Sequence, residues 1–300
     1  MTFCFDIGGS KIVGAWVDEH GSIEERARDV TPVDDRLAFF ETLAAICPRG
    51  EDPVGISIAG VIDPLSGKLA SANIPCISGR CLATELEDVL GRPTYLINDA
   101  DAFALAETRW GAARGHATVM AIILGTGVGG AIVLDGRLHA GHGGLAGEWG
   151  HGAAFAQRTA ESLPALACSC GLQGCVDTLG GARGMERLYR HLHASTLDSV
   201  SIVDAWQSGD AKASRVVDLW LDIVGGALSA SINVIGPSIV PVGGGLASSL
   251  PLIQALDSEV RSRSLSACHA SLLYPTVSGA EQGLAGAAWM VQQQLAGKAS

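Results

Sequence analysis

Two glycine turns of the same design, one near the N-terminus and one in the middle of the chain, constrain the fold most strongly. The turns are Asp6-Ile7-Gly8-Gly9-Ser10-Lys11 and Leu124-Gly125-Thr126-Gly127-Val128-Gly129-Gly130. Short apolar segments flank each turn and predict strands: Phe3–Phe5, Ile12–Val17, Val119–Leu124 and Ala131–Leu134. Glycine has no Cβ, so the N–H groups of such a turn can approach phosphate oxygens closely. The repeated unit therefore predicts a site for a nucleoside triphosphate.

Composition narrows the function classes. The net charge is −11 and the sequence holds no basic run, which disfavours nucleic acid as a main partner. Hydrophobic residues make up 48% of the 300 residues and charged residues 17%, enough for a large core. No continuous apolar run has the roughly 18 residues of a membrane span. The N-terminus resembles no signal peptide, so we expect a cytoplasmic protein without a membrane partner.

Strands alternate with helices along the whole chain, which predicts an α/β fold. Predicted strands cover Val54–Ala59, Thr94–Ile97 and Ile239–Val242, and predicted helices cover 33–46, Leu82–Leu90, Ala100–Trp110, 183–194, 212–235, 249–262 and 281–295. A loop-rich insertion covers 135–182. The strand pattern restarts at Val119, so we expect two related domains, 1–117 and 118–284. The C-terminal helix, about 285–300, is expected to pack back on the first domain, with a ligand cleft between the two.

Asp99 is the best candidate for a catalytic residue. It follows a predicted strand, and open α/β sheets place their sites at the C-terminal ends of strands. A carboxylate there could accept the proton of an attacking hydroxyl, and Asn98 could bind a substrate hydroxyl. The structural alternative is that Asp99 only caps the helix Ala100–Trp110.

Asp6, beside the first glycine turn, is the second carboxylate of interest. It could hold Mg²⁺ through water, because Mg²⁺ keeps much of its hydration in proteins. The alternative is an aspartate that only initiates the turn.

Three cysteines within eight residues, Cys168, Cys170 and Cys175, predict a metal site. Together with His151 they would close a structural zinc centre of the Cys₃His type. His139 and His142 are alternative fourth ligands by spacing alone. Free thiols are the other interpretation, and a disulfide is disfavoured in a reducing compartment. The other cysteines, at positions 4, 47, 76, 81 and 268, stand in apolar surroundings typical of small core residues.

Two further carboxylates flank the metal motif. Glu148 stands three residues before His151, and Asp177 stands two residues after Cys175. Carboxylates that accept hydrogen bonds from hydroxyls are a common means of sugar recognition, although Asp177 could simply begin a helix. The run Gly243-Gly244-Gly245 follows an apolar strand and could admit an adenine or ribose, or could be an ordinary strand–helix turn.

These motifs, in this order, resemble the ROK family of sugar kinases in the actin-like ATPase superfamily. The resemblance covers nearly the whole length, and it adds Ala72-Asn73-Ile74-Pro75, Ser78-Gly79-Arg80 and Asn98–Glu107 to the motifs above. Within the family, these segments look most like bacterial N-acetylglucosamine kinases. The resemblance implies a two-domain, ribonuclease H-like fold.

The resemblance also implies an activity and a set of site residues. It implies ATP-dependent transfer to the 6-hydroxyl of N-acetylglucosamine, with Asp99 as general base and Mg²⁺ bound with ATP. Sugar contacts would come from Ser78, Gly79, Asn98, Asp99, Glu148, His151 and Asp177. Nucleotide contacts would come from Asp6, Gly8, Gly9, Ser10, Lys11, Gly125, Thr126, Gly127, Gly243, Gly244 and Gly245. Structural zinc would be held by His151, Cys168, Cys170 and Cys175. A homodimer is common in the family.

Two departures from the family pattern bear on function. The family usually has glutamate at the position of Asp177, and threonine at the position of Ser10. The serine keeps the hydroxyl, whereas the shorter Asp177 leaves the sugar specificity open, and N-acetylmannosamine, glucose and fructose are alternative acceptors. A sugar-responsive DNA-binding regulator is disfavoured because the chain opens directly on a strand and is acidic. A catalytically silent sugar-binding protein would not need Asp99 and both glycine turns.

Overall fold

The computed structural model describes residues 1–265, 270–276 and 282–298. The strands are β1 (Thr2–Ile7), β2 (Lys11–Val17), β3 (Ile23–Val30), β4 (Val54–Ile58), β5 (Val61–Ile62), β6 (Leu69–Ala70), β7 (Thr94–Asn98), β8 (Thr118–Leu124), β9 (Val128–Leu134), β10 (Arg137–Leu138), β11 (Val240–Gly243) and β12 (Leu273–Pro275). The helices are α1 (Arg36–Ile46), α2 (Leu82–Leu90), α3 (Asp99–Arg109), α4 (Asp177–Gly180), α5 (Ala182–His193), α6 (Ser199–Gln207), α7 (Ala211–Ile235), α8 (Leu250–Arg263) and α9 (Gln282–Lys298).

The chain forms two compact units. The first contains the described parts of Met1–Gly115, Gly136–Ala146 and Ser278–Ser300. The second contains the described parts of His116–Asp135 and Gly147–Val277. Each unit therefore holds one of the two glycine turns.

The first unit is built on a five-stranded mixed sheet in the order β3-β2-β1-β4-β7. Strand β1 pairs antiparallel with β2 across the glycine turn and parallel with β4, and β4 pairs parallel with β7. Successive side chains of β4 point to opposite faces. Ile56 and Ile58 join the buried cluster that α1 and α2 cover, whereas a Cβ on Gly55 would lie 2.8 Å from the Ala287 carbonyl oxygen of α9. Helices therefore cover both faces of the sheet.

The second unit repeats the opening of the first. Strand β9 pairs antiparallel with β8 across the second glycine turn, and β8 and β12 flank β11 in parallel. The buried core of this unit includes Trp220, whose indole Nε1 donates to the Gly180 carbonyl oxygen at 2.8 Å. The strands predicted around both glycine turns are thus confirmed, as is the helix Leu82–Leu90.

Helix α7 qualifies as a membrane span by length and composition, although the sequence holds no continuous apolar run of that length. Its best 18-residue window has a mean hydropathy of 1.3. Half of that window is buried inside the protein, and its apolar side chains, such as Trp220 and Leu228, belong to the core of the second unit. Core helices of soluble proteins pass the same test.

The expectation that the scattered cysteines are core residues is only partly correct. Cys4 is fully buried, whereas Cys47, Cys76 and Cys81 are half-buried. Burial raises the pKa of the Cys4 thiol to about 12, so it remains protonated and unreactive at neutral pH. Cys268 lies outside the described residues.

Candidate active site

Asp99 stands at the junction of β7 and α3, as expected, but it does not cap the helix. The cap is Asn98, whose Oδ1 accepts hydrogen bonds from the N–H groups of Ala100 (2.8 Å) and Asp101 (3.2 Å). Asn98 Nδ2 also donates to the Gly60 carbonyl oxygen at 2.7 Å. The predicted cap at Asp99 is therefore wrong, because the preceding amide already satisfies the first N–H groups of the helix.

The Asp99 carboxylate combines solvent access with a crowded environment. Its side chain is exposed, yet protein atoms surround it densely enough that desolvation raises its pKa above the ordinary value. The N–H of Ala100, which donates to Asp99 Oδ1 at 2.9 Å, opposes that shift. A reachable carboxylate with a raised pKa is suited to accept a proton.

Asp6 lies at the end of β1 in the same unit. Burial raises its carboxyl pKa to about 6, and the charge of Asp99 adds to the shift, whereas the Ser57 hydroxyl and Lys11 oppose it. Ser57 Oγ is buried and has no other hydrogen-bond partner in the described part of the chain. The neighbourhood thus holds two carboxylates beside a buried hydroxyl, and carboxylate oxygens suit a hydrated Mg²⁺ ion.

The first glycine turn is held in a tight conformation. Gly8 N–H donates to the Lys11 carbonyl oxygen at 3.0 Å, and the hydroxyl of Thr31 donates to the Gly8 carbonyl oxygen at 2.6 Å. A Cβ on Gly9 would lie 3.0 Å from the Asn73 Cβ, which leaves little room for a larger residue. Sequence reasoning did not identify Thr31, because it acts through a hydrogen bond between residues 23 positions apart.

Ser78 and Gly79 belong to a loop tied to the β5–β6 hairpin of the same unit. Ser78 Oγ accepts from the Ser71 N–H at 3.1 Å, and Gly79 N–H donates to the Leu69 carbonyl oxygen at 2.7 Å. Gly79 has φ of 78°, a conformation that favours glycine. These contacts fix the loop that the family resemblance associates with sugar.

In the second unit, the glycine run after β11 lies against the second glycine turn. A Cβ on Gly244 would lie 2.5 Å from the Leu124 carbonyl carbon and 2.7 Å from the Gly125 nitrogen. The turn itself is closed by a hydrogen bond from Gly125 N–H to the Gly127 carbonyl oxygen at 3.0 Å. The predicted phosphate turn and the predicted adenosine-side glycines are therefore neighbours.

His151 and the three clustered cysteines come together, with one ligand atom from each within 4.8 Å of every other. Cys168 Sγ lies 3.6 Å from His151 Nδ1, and Cys170 Sγ lies 3.7 Å from Cys175 Sγ. A tetrahedral ion with metal–sulfur bonds of about 2.3 Å has ligand–ligand edges of about 3.8 Å. The side chains therefore fit a tetrahedral metal ion.

The lowered pKa of Cys170 and the carboxylate partner of His151 also suit a metal site. The backbone N–H of Leu172 lowers the pKa of Cys170 to about 7, whereas burial raises the pKa of Cys175. His151 Nε2 lies 3.4 Å from Glu148 Oε2, and a carboxylate on the outer nitrogen is a usual partner of a metal-bound histidine. Glu148 therefore orients the imidazole toward the thiols.

The loop that carries Glu148 is anchored to the strand after the second glycine turn. Trp149 Nε1 donates to the Gly129 carbonyl oxygen at 2.9 Å. A Cβ on Gly147 would lie 2.6 Å from the Gly130 carbonyl oxygen. No pattern in the sequence indicated that Trp149 connects the loop of Glu148 to the second glycine turn.

The segment between His151 and the cysteines, which matches no motif in the sequence, is held by a buried carboxylate. Asp222 of α7 accepts hydrogen bonds from the backbone N–H groups of Arg158 and Thr159, both at 2.8 Å. The same carboxylate pairs with Arg263, and these donors together lower its pKa against the opposing effect of burial. The segment thus has a structural anchor in the core helix.

Comparison with known proteins identifies the family of the chain. The chain matches the ROK family over residues 2–294. It is 35% identical over 263 residues to an N-acetylgalactosamine kinase of Shewanella sp., which covers 85% of both chains. It is 32% identical to an N-acetyl-D-glucosamine kinase of Photobacterium profundum, covering 97% of this chain and 99% of the relative.

A solved structure supports the fold assignment. The ROK family glucokinase of Streptomyces griseus, in complex with glucose and AMPPNP, superimposes with a TM-score of 0.81 at 27% identity, covering 97% of this chain and 99% of that one. The mixed sheets and helices described above are thus those of the actin-like ATPase fold. By sequence match and by structure, the chain belongs to the ROK family.

Proposed function

We propose that this protein is an ATP-dependent N-acetylglucosamine kinase that phosphorylates the 6-hydroxyl of the sugar. The observation that carries the proposal is the reachable, crowded Asp99 carboxylate at the end of β7. It stands in a chain that aligns over nearly its whole length with an N-acetyl-D-glucosamine kinase. Asp99 would accept the proton of the 6-hydroxyl as that oxygen bonds to the γ-phosphorus, and ADP would leave with the electron pair of the broken P–O bond.

The sugar would be bound by side chains and backbone of the loops described above. These are Ser78, Gly79, Asn98, Asp99, Glu148, His151 and Asp177. Asn98 is held in place by its own contacts, since its oxygen caps α3 and its nitrogen donates to the Gly60 carbonyl oxygen.

ATP would be held by the glycine turns, with Mg²⁺ near Asp6 through water. The proposed contacts are Asp6, Gly8, Gly9, Ser10, Lys11, Gly125, Thr126, Gly127, Gly243, Gly244 and Gly245. The packing of Gly244 on the second turn supports a continuous nucleotide surface in the second unit. Mg²⁺ would neutralise charge on the transferred phosphoryl group.

Zinc is the metal that best suits the Cys₃His cluster. Three soft thiolates and an imidazole in tetrahedral arrangement, with no position left for water, are typical of structural zinc. The ion would hold His151 and, through it, Glu148. Zinc would therefore act on sugar binding by ordering the loop rather than by chemistry on the substrate.

N-acetylgalactosamine is a second candidate acceptor. The relative that is 35% identical is named as an N-acetylgalactosamine kinase. N-acetylgalactosamine differs from N-acetylglucosamine in the configuration of one hydroxyl. A site built to hydrogen-bond each hydroxyl can discriminate such epimers strongly. We further propose a cytoplasmic homodimer, as is common in the family.

The acceptor is tested by a coupled ADP-release assay with Mg-ATP. We expect the highest kcat/KM with N-acetylglucosamine among a panel that also holds N-acetylgalactosamine, N-acetylmannosamine, glucose and fructose. A clear preference for N-acetylgalactosamine would favour the second candidate. No turnover on any sugar by folded, zinc-replete protein would contradict the kinase assignment.

The raised pKa of Asp6 predicts that catalytic efficiency with Mg-ATP falls at acid pH. A carboxyl group with a folded-state pKa of about 6 keeps its proton until the pH rises through that value. The ionised fraction then falls about tenfold per pH unit below it. We expect kcat/KM for Mg-ATP at saturating sugar to decline below about pH 6, because protonated Asp6 would no longer hold the hydrated ion.

A matched variant assigns this decline to Asp6. The Ser57 hydroxyl lowers the pKa of Asp6, so Ser57→Ala should move the decline to higher pH. A decline centred near pH 4, or one that does not respond to Ser57→Ala, would show that another group sets it.

A further inference from the structure

Asp177 lies where the second glycine turn meets the Cys₃His cluster. Its Oδ1 accepts a hydrogen bond from the Val128 N–H, at the end of the turn, at 3.0 Å. Its Oδ2 lies 3.8 Å from Cys168 Sγ. One short side chain therefore contacts both the predicted phosphate turn and a predicted metal ligand.

The backbone around Asp177 is fixed on both sides. Its N–H donates to the Gly150 carbonyl oxygen at 2.9 Å, and the preceding Val176 N–H donates to the Gly152 carbonyl oxygen at 2.9 Å. These bonds pair the start of α4 with the segment that carries His151. These hydrogen bonds therefore fix the backbone from which the Asp177 carboxylate reaches the turn.

The contact depends on glycine at position 127. A Cβ on Gly127 would lie 2.3 Å from Asp177 Oδ1, closer than any side chain allows. Gly181, just after α4, packs equally closely, since its Cβ would lie 2.6 Å from the Gly127 Cα. The second glycine turn therefore packs closely against both ends of α4, at Asp177 and at Gly181.

We propose that Asp177 is a positioning residue: its carboxylate holds the second glycine turn in the conformation that receives the nucleotide phosphates, and its backbone N–H joins that turn to the segment that carries His151. The proposal rests on the proposed kinase function. A glutamate here would carry its carboxylate about 1.5 Å further along the side chain. Aspartate therefore matches the short distance from the α4 backbone to Val128 N–H.

The test is nucleotide binding by full-length, zinc-loaded protein, measured by calorimetry with Mg-AMPPNP, and sugar binding measured separately. Asp177→Ala removes the acceptor and is expected to weaken AMPPNP binding about tenfold. Asp177→Asn keeps an oxygen that can accept from Val128 N–H, so its nucleotide Kd should stay within about threefold of wild type.

The control is Asp204→Ala, on the exposed surface of α6, which should leave both affinities unchanged. If Asp177→Ala weakens sugar binding but leaves the AMPPNP Kd unchanged, Asp177 is only a sugar ligand and the proposal fails. If Asp177→Asn weakens AMPPNP binding as much as Asp177→Ala, the hydrogen bond to Val128 is not the cause and the proposal also fails. Wild-type protein that binds no Mg-AMPPNP would instead overturn the kinase function itself.

Discussion

Asp99→Asn is expected to lower kcat by about 10³-fold, with the sugar Kd within a few-fold of wild type. A general base contributes about 10²- to 10⁴-fold to a rate, and asparagine cannot accept the proton of the 6-hydroxyl. The substitution preserves shape, and the helix remains capped by Asn98 rather than by residue 99. Turnover is measured by ADP release and sugar binding by calorimetry.

Asp88→Asn is the matched control for this experiment. Asp88 lies exposed on α2 in the same unit as Asp99, so its substitution should leave both turnover and sugar affinity unchanged. Near-normal turnover of the Asp99 variant would show that another group accepts the proton. Loss of sugar binding along with turnover would assign Asp99 to binding instead.

Removal of the metal is expected to have the second largest effect. Protein purified without added metal should hold about one zinc per chain, and a strong chelator should lower its melting temperature by on the order of 10 °C. Sugar affinity should fall as well, because Glu148 contacts the cluster through His151. Metal analysis, thermal melting and calorimetry check the three expectations.

Two cysteine substitutions separate the metal from general damage to the fold. Cys175→Ser removes a buried member of the cluster and should lose zinc. Cys81→Ser changes a half-buried cysteine outside the cluster and should retain it. Protein that contains no metal at any stage, or loses it without change in stability or sugar binding, would contradict the structural zinc centre.

Much of the fold followed from local pattern. Both glycine turns, with their antiparallel strands, could be predicted because a break of two or three small residues between apolar segments has few other solutions. Helix Leu82–Leu90 was predicted with its observed bounds, since Gly91 ends it in the left-handed conformation. The grouping of the three cysteines followed from their spacing and from the chemistry of thiol ligands, whereas spacing alone left His139 and His142 as alternatives to His151, which the structure places in the cluster.

Three other elements, two strands and a helix, have sequence patterns too weak to predict them. Strand β3 reads Ile-Glu-Glu-Arg-Ala-Arg-Asp-Val and exposes most of its side chains at the sheet edge, so it lacks the apolar run of a buried strand. Strand β12 has only three residues, which is too short for periodicity. Helix α6 follows a loop that contains polar residues, and no sequence pattern distinguished the helix from this loop.

Contacts between distant residues were beyond sequence reasoning. The hydrogen bond from Val128 N–H to Asp177 joins residues 49 positions apart, and that from Arg158 N–H to Asp222 joins residues 64 apart. No local pattern encodes such a pairing. The capping role of Asn98 was missed for a different reason, because Asn and Asp are about equally good caps and stand side by side.

The proposed function centres on one chemical event, transfer of a phosphoryl group from ATP to the sugar 6-hydroxyl. The most direct measurement is ³¹P NMR of the product formed from Mg-ATP and N-acetylglucosamine. We expect a new phosphomonoester resonance that is coupled to the two protons on C6, appears together with ADP, and forms about 10³-fold more slowly with the Asp99→Asn variant. A phosphate on the anomeric carbon, or ADP and free phosphate without any sugar phosphate, would contradict it.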